Sequence, residues 1–126
     1  MFGEQCPVTW SGRTAVVRLP TEIDLTRSDA VREALLAALN QGALSLIVDM
    51  TATTFCDSSG ITALVRAARR ATATGATIRL AVTAPPVLRV LSLVGVDRLI
   101  DIYPSVDAAL ASLSDQAEGP DQVTVV

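Results

Sequence analysis

A chain of 126 residues, half of them hydrophobic and only 3% aromatic, fits one domain with an aliphatic core and needs no metal or disulfide framework to hold it. Net charge is −3 and every basic residue is Arg, so no basic stripe is available for a phosphate backbone, which argues against direct nucleic-acid binding. The sequence has no His, the commonest general base and metal ligand, and its two cysteines, Cys6 and Cys56, are too few for a thiolate metal site.

Val8-Thr9-Trp10 and Ala15 to Leu19 are short β-prone runs separated by the turn-forming Ser11-Gly12-Arg13, a hairpin pattern closed by Pro20. Thr21 to Leu25 reads as a loop, and Thr26 with Asp29 three residues on resembles a capping box opening a helix. Ala30, Val31, Ala34, Leu35, Ala38 and Leu39 then recur at helical spacing, with Gly42 placed to end the helix. Leu44 to Met50 is a near-continuous apolar run, as expected of a strand buried on both faces. A polar stretch leads through Phe55-Cys56 to Asp57-Ser58-Ser59-Gly60. From Ser59 onward Ile61, Leu64, Val65, Ala68 and Ala71 mark a second helix, stopped at Gly75. Ile78 to Thr83 is the next strand, Pro85-Pro86 opens a helix ending near Gly95, Leu99 to Tyr103 is a last strand, and Ser105 caps a final helix from Val106 to Leu113.

Strands alternating with helices predict an α/β domain: a mixed sheet with an N-terminal hairpin, then parallel strands joined by right-handed helical crossovers. Residues 1–113 form the domain, and 114–126 read as a disordered polar tail. No apolar run is long enough to span a bilayer and the start lacks a signal-peptide pattern, so a cytoplasmic protein with no membrane partner is expected. There Cys6 and Cys56 would be reduced, with Cys56 a small buried hydrophobe; a redox bridge between them is the alternative. Trp10 and Tyr103 are expected to pack, as are Val87, Leu88, Leu91 and Val94 unless they form an exposed apolar patch. Arg66, Arg69 and Arg70 read as a solvated helix face.

The one stretch that suggests chemistry is Asp57-Ser58-Ser59-Gly60, where a buried strand gives way to a helix. A Ser here ordinarily caps the helix. The same place suits a phosphorylation switch, because a hydroxyl at a helix start is reachable and the free N–H groups there can hold a phosphate. Local chemistry leaves both Ser58 and Ser59 open as acceptors. Asp57 fits a capping carboxylate, and Asp24 fits either a turn or a functional acid. A hydrolase elbow is excluded: Cys56 stands where the first Gly of Gly-x-Ser-x-Gly belongs, and the His base is missing. No metal or cofactor motif accompanies Gly60, so neither cofactor nor enzyme activity is expected.

Glu22-Ile23-Asp24-Leu25, Leu46 to Met50, Thr54 to Ile61 and Arg89 to Leu99 together resemble the STAS domain in its anti-sigma factor antagonist (anti-anti-sigma factor) form, from about Val8 to Leu113. The resemblance implies a binding module that, unphosphorylated, engages an anti-sigma factor Ser/Thr kinase of the GHKL type and frees its sigma factor. It implies that the kinase phosphorylates Ser58, which ends binding, and that a phosphatase resets the switch. It also implies a contact surface gathering Ile23, Asp24, Leu25 and Thr26 with Asp57, Ser58, Ser59, Gly60 and Ile61. One departure is Pro20-Thr21, where the family commonly has Gly before Glu-Ile-Asp; Thr21 brings a side chain where Gly would permit an unusual backbone angle. A different role on the same fold, a STAS subunit of a lipid-transport or stress-sensing assembly, would need no phosphoserine.

Overall fold

The computed structural model describes residues 6–114. Strands β1 (Val8–Ser11) and β2 (Thr14–Arg18) form the expected antiparallel hairpin, turning at Gly12 with φ +59°, a left-handed angle that suits glycine. The short pair β3 (Glu22–Ile23) and β5 (Phe55–Cys56) flanks α1 (Leu25–Asn40) and β4 (Ser45–Met50) in the chain. Then come α2 (Ser58–Thr74), β6 (Thr77–Val82), α3 (Pro85–Leu93), α4 (Val96–Leu99) and β7 (Asp101–Tyr103). A last helix, α5, covers residues 106–114, its start capped by Ser105, whose hydroxyl accepts the Ala108 N–H at 2.9 Å.

The main sheet runs β1-β2-β4-β6-β7, antiparallel only in the hairpin and parallel from β2 onward. Central β4 is buried on both faces, as its apolar run predicts. Leu46, Val48 and Met50 join the core beside Val17, Leu80 and Val82, while Ile47, on the opposite face, is also fully buried. Helices α1 and α2 pack side by side over that core through Val31, Leu35 and Ala38 on one and Leu64, Ala67 and Ala68 on the other. The chain is thus one α/β domain with a mixed sheet.

Several boundaries differ from the sequence reading, each for a local reason. Helix α1 is not opened by a Thr26–Asp29 box; Asp24 is its N-cap and Thr26 lies inside the first turn. Residues 22–23 are not loop but a strand paired with 55–56, a ladder too short to show an alternation pattern. Residues 96–99 make a short helix, so the last strand begins at Asp101 and not at Leu99. Trp10 is 40% exposed on the edge strand and does not pack as expected, and Tyr103 is half-buried. In α3, Val87 and Leu91 are core, whereas Leu88 and, just past the helix, Val94 are exposed. Ser114 still belongs to α5, and the rest of the tail expected at 114–126 lies outside the described residues. No helix among the described residues is long and apolar enough to cross a membrane.

Candidate functional site

The β3/β5 ladder sets two helix starts next to each other. Ile23 pairs with Cys56, so Asp24 and Asp57 follow at matching positions, each with extended backbone, and each caps the helix behind it. Asp24 Oδ1 accepts the Thr26 N–H at 3.0 Å and the Thr26 hydroxyl at 2.6 Å. Asp57 Oδ1 accepts the Ser59 N–H at 2.9 Å, the Ser59 hydroxyl at 2.5 Å and the Gly60 N–H at 3.3 Å. Asn, Asp, Ser and Thr favour this position because the side chain reaches back to donors the helix cannot satisfy.

This shared Asp-x-(Ser/Thr) pattern separates the two serines. Ser59 matches Thr26, its hydroxyl proton committed to the cap carboxylate. Ser58 matches Leu25, which is 76% exposed and points away from the fold. Ser58 is itself exposed, and its hydroxyl has no hydrogen-bond partner among the described residues. The cap on α2 is therefore Asp57 with Ser59, and Ser58 is left free to react or to touch a partner.

The two carboxylates are held ionised. The Ser59 hydroxyl, followed by the Gly60 and Ser59 amides, lowers the Asp57 carboxyl below the usual 3.8, against some desolvation and the nearby negative charge of Asp24. The Thr26 hydroxyl does the same for Asp24, helped by Arg27 at 3.9 Å. Of the helix-end amides expected to cradle a phosphate, those of Ser59 and Gly60 are already taken, leaving that of Ser58. Asp57 Oδ1 holds the N–H groups of Ser59 and Gly60, and the Asp57 carbonyl accepts the Ile61 N–H at 3.1 Å. A phosphate on Ser58 would stand in solvent within the field of two acids.

Gly60 fixes the height of this surface above the core. A Cβ there would lie 2.6 Å from Cys56 Sγ and 2.7 Å from Ile23 Cγ2, so only glycine lets α2 start this close to β3 and β5. Burial and then the Asp57 charge push the Cys56 thiol up to about 11, which leaves it unreactive at neutral pH. Cys6 is likewise buried, its thiol pushed up by desolvation, and both cysteines are free thiols. Thr21 makes no demand on the backbone: among the described residues positive φ occurs only at glycines. Its carbonyl accepts the Thr54 N–H at 2.8 Å, so the loop before Asp24 is tied down without Gly.

The implied contact residues divide by depth. Leu25, Thr26 and Ser58 are exposed; Asp24, Asp57, Ser59 and Ile61 are half-buried. Ile23, with no exposed surface, and Gly60 are interior and support the surface from beneath. The sequence reading missed Phe55, half exposed beside a shallow apolar depression lined by Pro86, Val87 and Val90. Its signal was strand alternation: next to a buried Cys56, Phe55 must face outward.

Several solved structures share this fold. An anti-sigma factor antagonist from Mycobacterium paratuberculosis superposes with a TM-score of 0.78 at 24% identity, covering 85% of this chain and 91% of that one. An anti-sigma-factor antagonist (STAS) domain protein from Planctomyces limnophilus gives 0.76 at 25% identity, covering 85% and 95%. The anti-sigma factor antagonist SpoIIAA in its unphosphorylated form gives 0.75 at 23% identity, covering 87% and 96%, and the Bacillus protein also has a structure in a phosphorylated form. No curated protein matches the sequence. The STAS domain family model matches residues 7–109, nearly the whole described chain, and the protein belongs to the STAS domain family.

Proposed function

We propose that this chain is a non-catalytic anti-sigma factor antagonist of the cytoplasm. Its unphosphorylated form binds an anti-sigma factor that is a GHKL-type Ser/Thr kinase and frees the sigma factor for transcription. Transfer of the γ-phosphoryl group of ATP to Ser58 Oγ, with loss of the hydroxyl proton and release of ADP, ends that contact. A phosphatase restores the hydroxyl. The observation that carries the reading is the division of labour between the serines, which leaves the exposed Ser58 hydroxyl unpartnered beside two ionised caps. Similarity to antagonists that include SpoIIAA, a protein with both unphosphorylated and phosphorylated structures, supports the same reading.

The direction of the switch follows from electrostatics. A neutral hydroxyl can be buried against a partner at little cost, whereas a phosphate adds about −1.5 to −2 charges beside Asp57. With the Ser59 and Gly60 amides occupied, that charge has few donors to meet it within the fold and must be desolvated largely unpaired when the partner docks. Each 1.4 kcal/mol is about tenfold in affinity, so one phosphate suffices to end binding with no change of fold. Ser58→Ala used as bait in the source cell should capture an anti-sigma kinase and hold it in the presence of ATP. Capture of a transporter ATPase or a stress-sensing scaffold in its place, with Ser58 never modified, would favour the assembly-subunit role.

A further inference from the structure

We propose that the groove between α1 and α2 seats an acidic side chain of the anti-sigma partner, an inference that rests on the function proposed above. Ser59, Thr62 and Arg66 of α2 form one wall of this groove of about 210 Å³, and Asp29 and Arg32 of α1 form the other. In a chain of net charge −3, α2 carries three exposed arginines, Arg66, Arg69 and Arg70, and no acidic residue. Arg70 donates to Asn40 Oδ1 at 2.9 Å, closing the far end of the helix pair. Among the described residues none of the three forms an ion pair with a carboxylate.

The charges within the groove set what it takes. Arg32 already pairs with Asp29 at 3.4 Å, so Arg66 brings the uncompensated positive charge. The hydroxyl protons on the α2 wall are spent, Thr62 donating to the Ser58 carbonyl at 3.0 Å and Ser59 to Asp57. The donor on offer is the Arg66 guanidinium, whose planar fork fits one carboxylate in a bidentate pair. A phosphate or nucleotide would want more donors than the groove supplies.

Position ties this groove to the switch. Its upper end is Ser59, next to the acceptor, and helical side chains lean toward the N-terminus, which tips Arg66 toward that end. An acidic group seated on Arg66 would then face phosphoserine 58 across the groove mouth. The phosphate would repel the seated carboxylate, which favours release of the partner. Acids at one end of the surface and arginines along the helix also fix the partner's orientation.

The test measures the affinity of the purified cognate anti-sigma kinase for Ser58→Ala chains carrying Arg66→Glu or Arg98→Glu, at low and high salt. Arg98 is exposed on α4, so both variants change charge equally. We expect Arg66→Glu to weaken binding at least tenfold and flatten its salt dependence, with an unchanged melting temperature, while Arg98→Glu stays within twofold. Binding within twofold for Arg66→Glu, or an equal loss for Arg98→Glu, would overturn the groove assignment while the proposed function stands. Failure of the Ser58→Ala chain itself to bind the kinase would remove both.

Discussion

Replacing Gly60 by Ala tests how the site is built. The new methyl would lie 2.6 Å from Cys56 Sγ and 2.7 Å from Ile23 Cγ2, both buried and backed by the core, so it cannot be absorbed by a flexible side chain. Overpacking of this kind costs about 1–3 kcal/mol, and the tightness of both contacts argues for the upper half of that range. Better helix propensity of Ala returns up to ~1 kcal/mol. The expected net loss is about 1–2 kcal/mol, or roughly 4–8 °C in Tm for a domain of this size. Urea denaturation read at constant m-value measures it. Relief of the strain should move the start of α2 outward, carrying Ser58 with it, so affinity for the kinase should fall as well. A Cys56→Ala background removes one of the two contacts and should recover at least ~0.5 kcal/mol of the loss. A Gly60→Ala chain as stable as the parent, binding the kinase equally well, would refute the claim that close packing at Gly60 sets the surface.

Ser59→Ala should lower the melting temperature by unmaking the Asp57–Ser59 cap, whereas Ser58→Ala should stay within about 0.5 kcal/mol of the parent in the same thermal scan. Asp24 and Asp57 have carboxyls lowered on folding, so their stabilisation is complete above the ordinary value of 3.8 and is lost as pH falls through their lower folded-state values. Melting temperature against pH should therefore drop on that acid limb, and Asp57→Asn, which keeps an acceptor oxygen, should show a shallower drop. At pH 8 an aromatic disulfide reagent should label Cys56 far more slowly in the native chain than in denaturant, since burial and Asp57 hold its thiol at about 11.

Long periodic segments were legible in the sequence. The faces of α1 and α2, the doubly buried β4 and the hairpin all follow from apolar spacing, which is a property of many residues at once. What was not legible depends on single contacts. The β3/β5 ladder is two residues long on each side, and no alternation can be read from two residues. The helix start at Leu25 was hidden because Thr26 and Asp29 imitate a capping box, while the cap is Asp24 two residues earlier. The recurrence of Asp-x-Thr at Asp24 and Asp-x-Ser at Asp57 was present in the sequence. Only the ladder that brings the two together shows that Ser59 belongs to the cap and Ser58 does not. That the Ser59 and Gly60 amides are closed to a phosphate was likewise invisible, because it follows from which way one carboxylate turns.

The central claim is that phosphate on Ser58 acts at the partner's surface and leaves this fold intact. Titration calorimetry of the anti-sigma kinase with the unphosphorylated chain and with the chain phosphorylated at Ser58, each checked by mass mapping and by its melting curve, tests it most directly. The account predicts at least a hundredfold weaker binding for the phosphorylated chain with an unchanged melting temperature. Equal affinities, or a loss of binding that comes with unfolding, would contradict it.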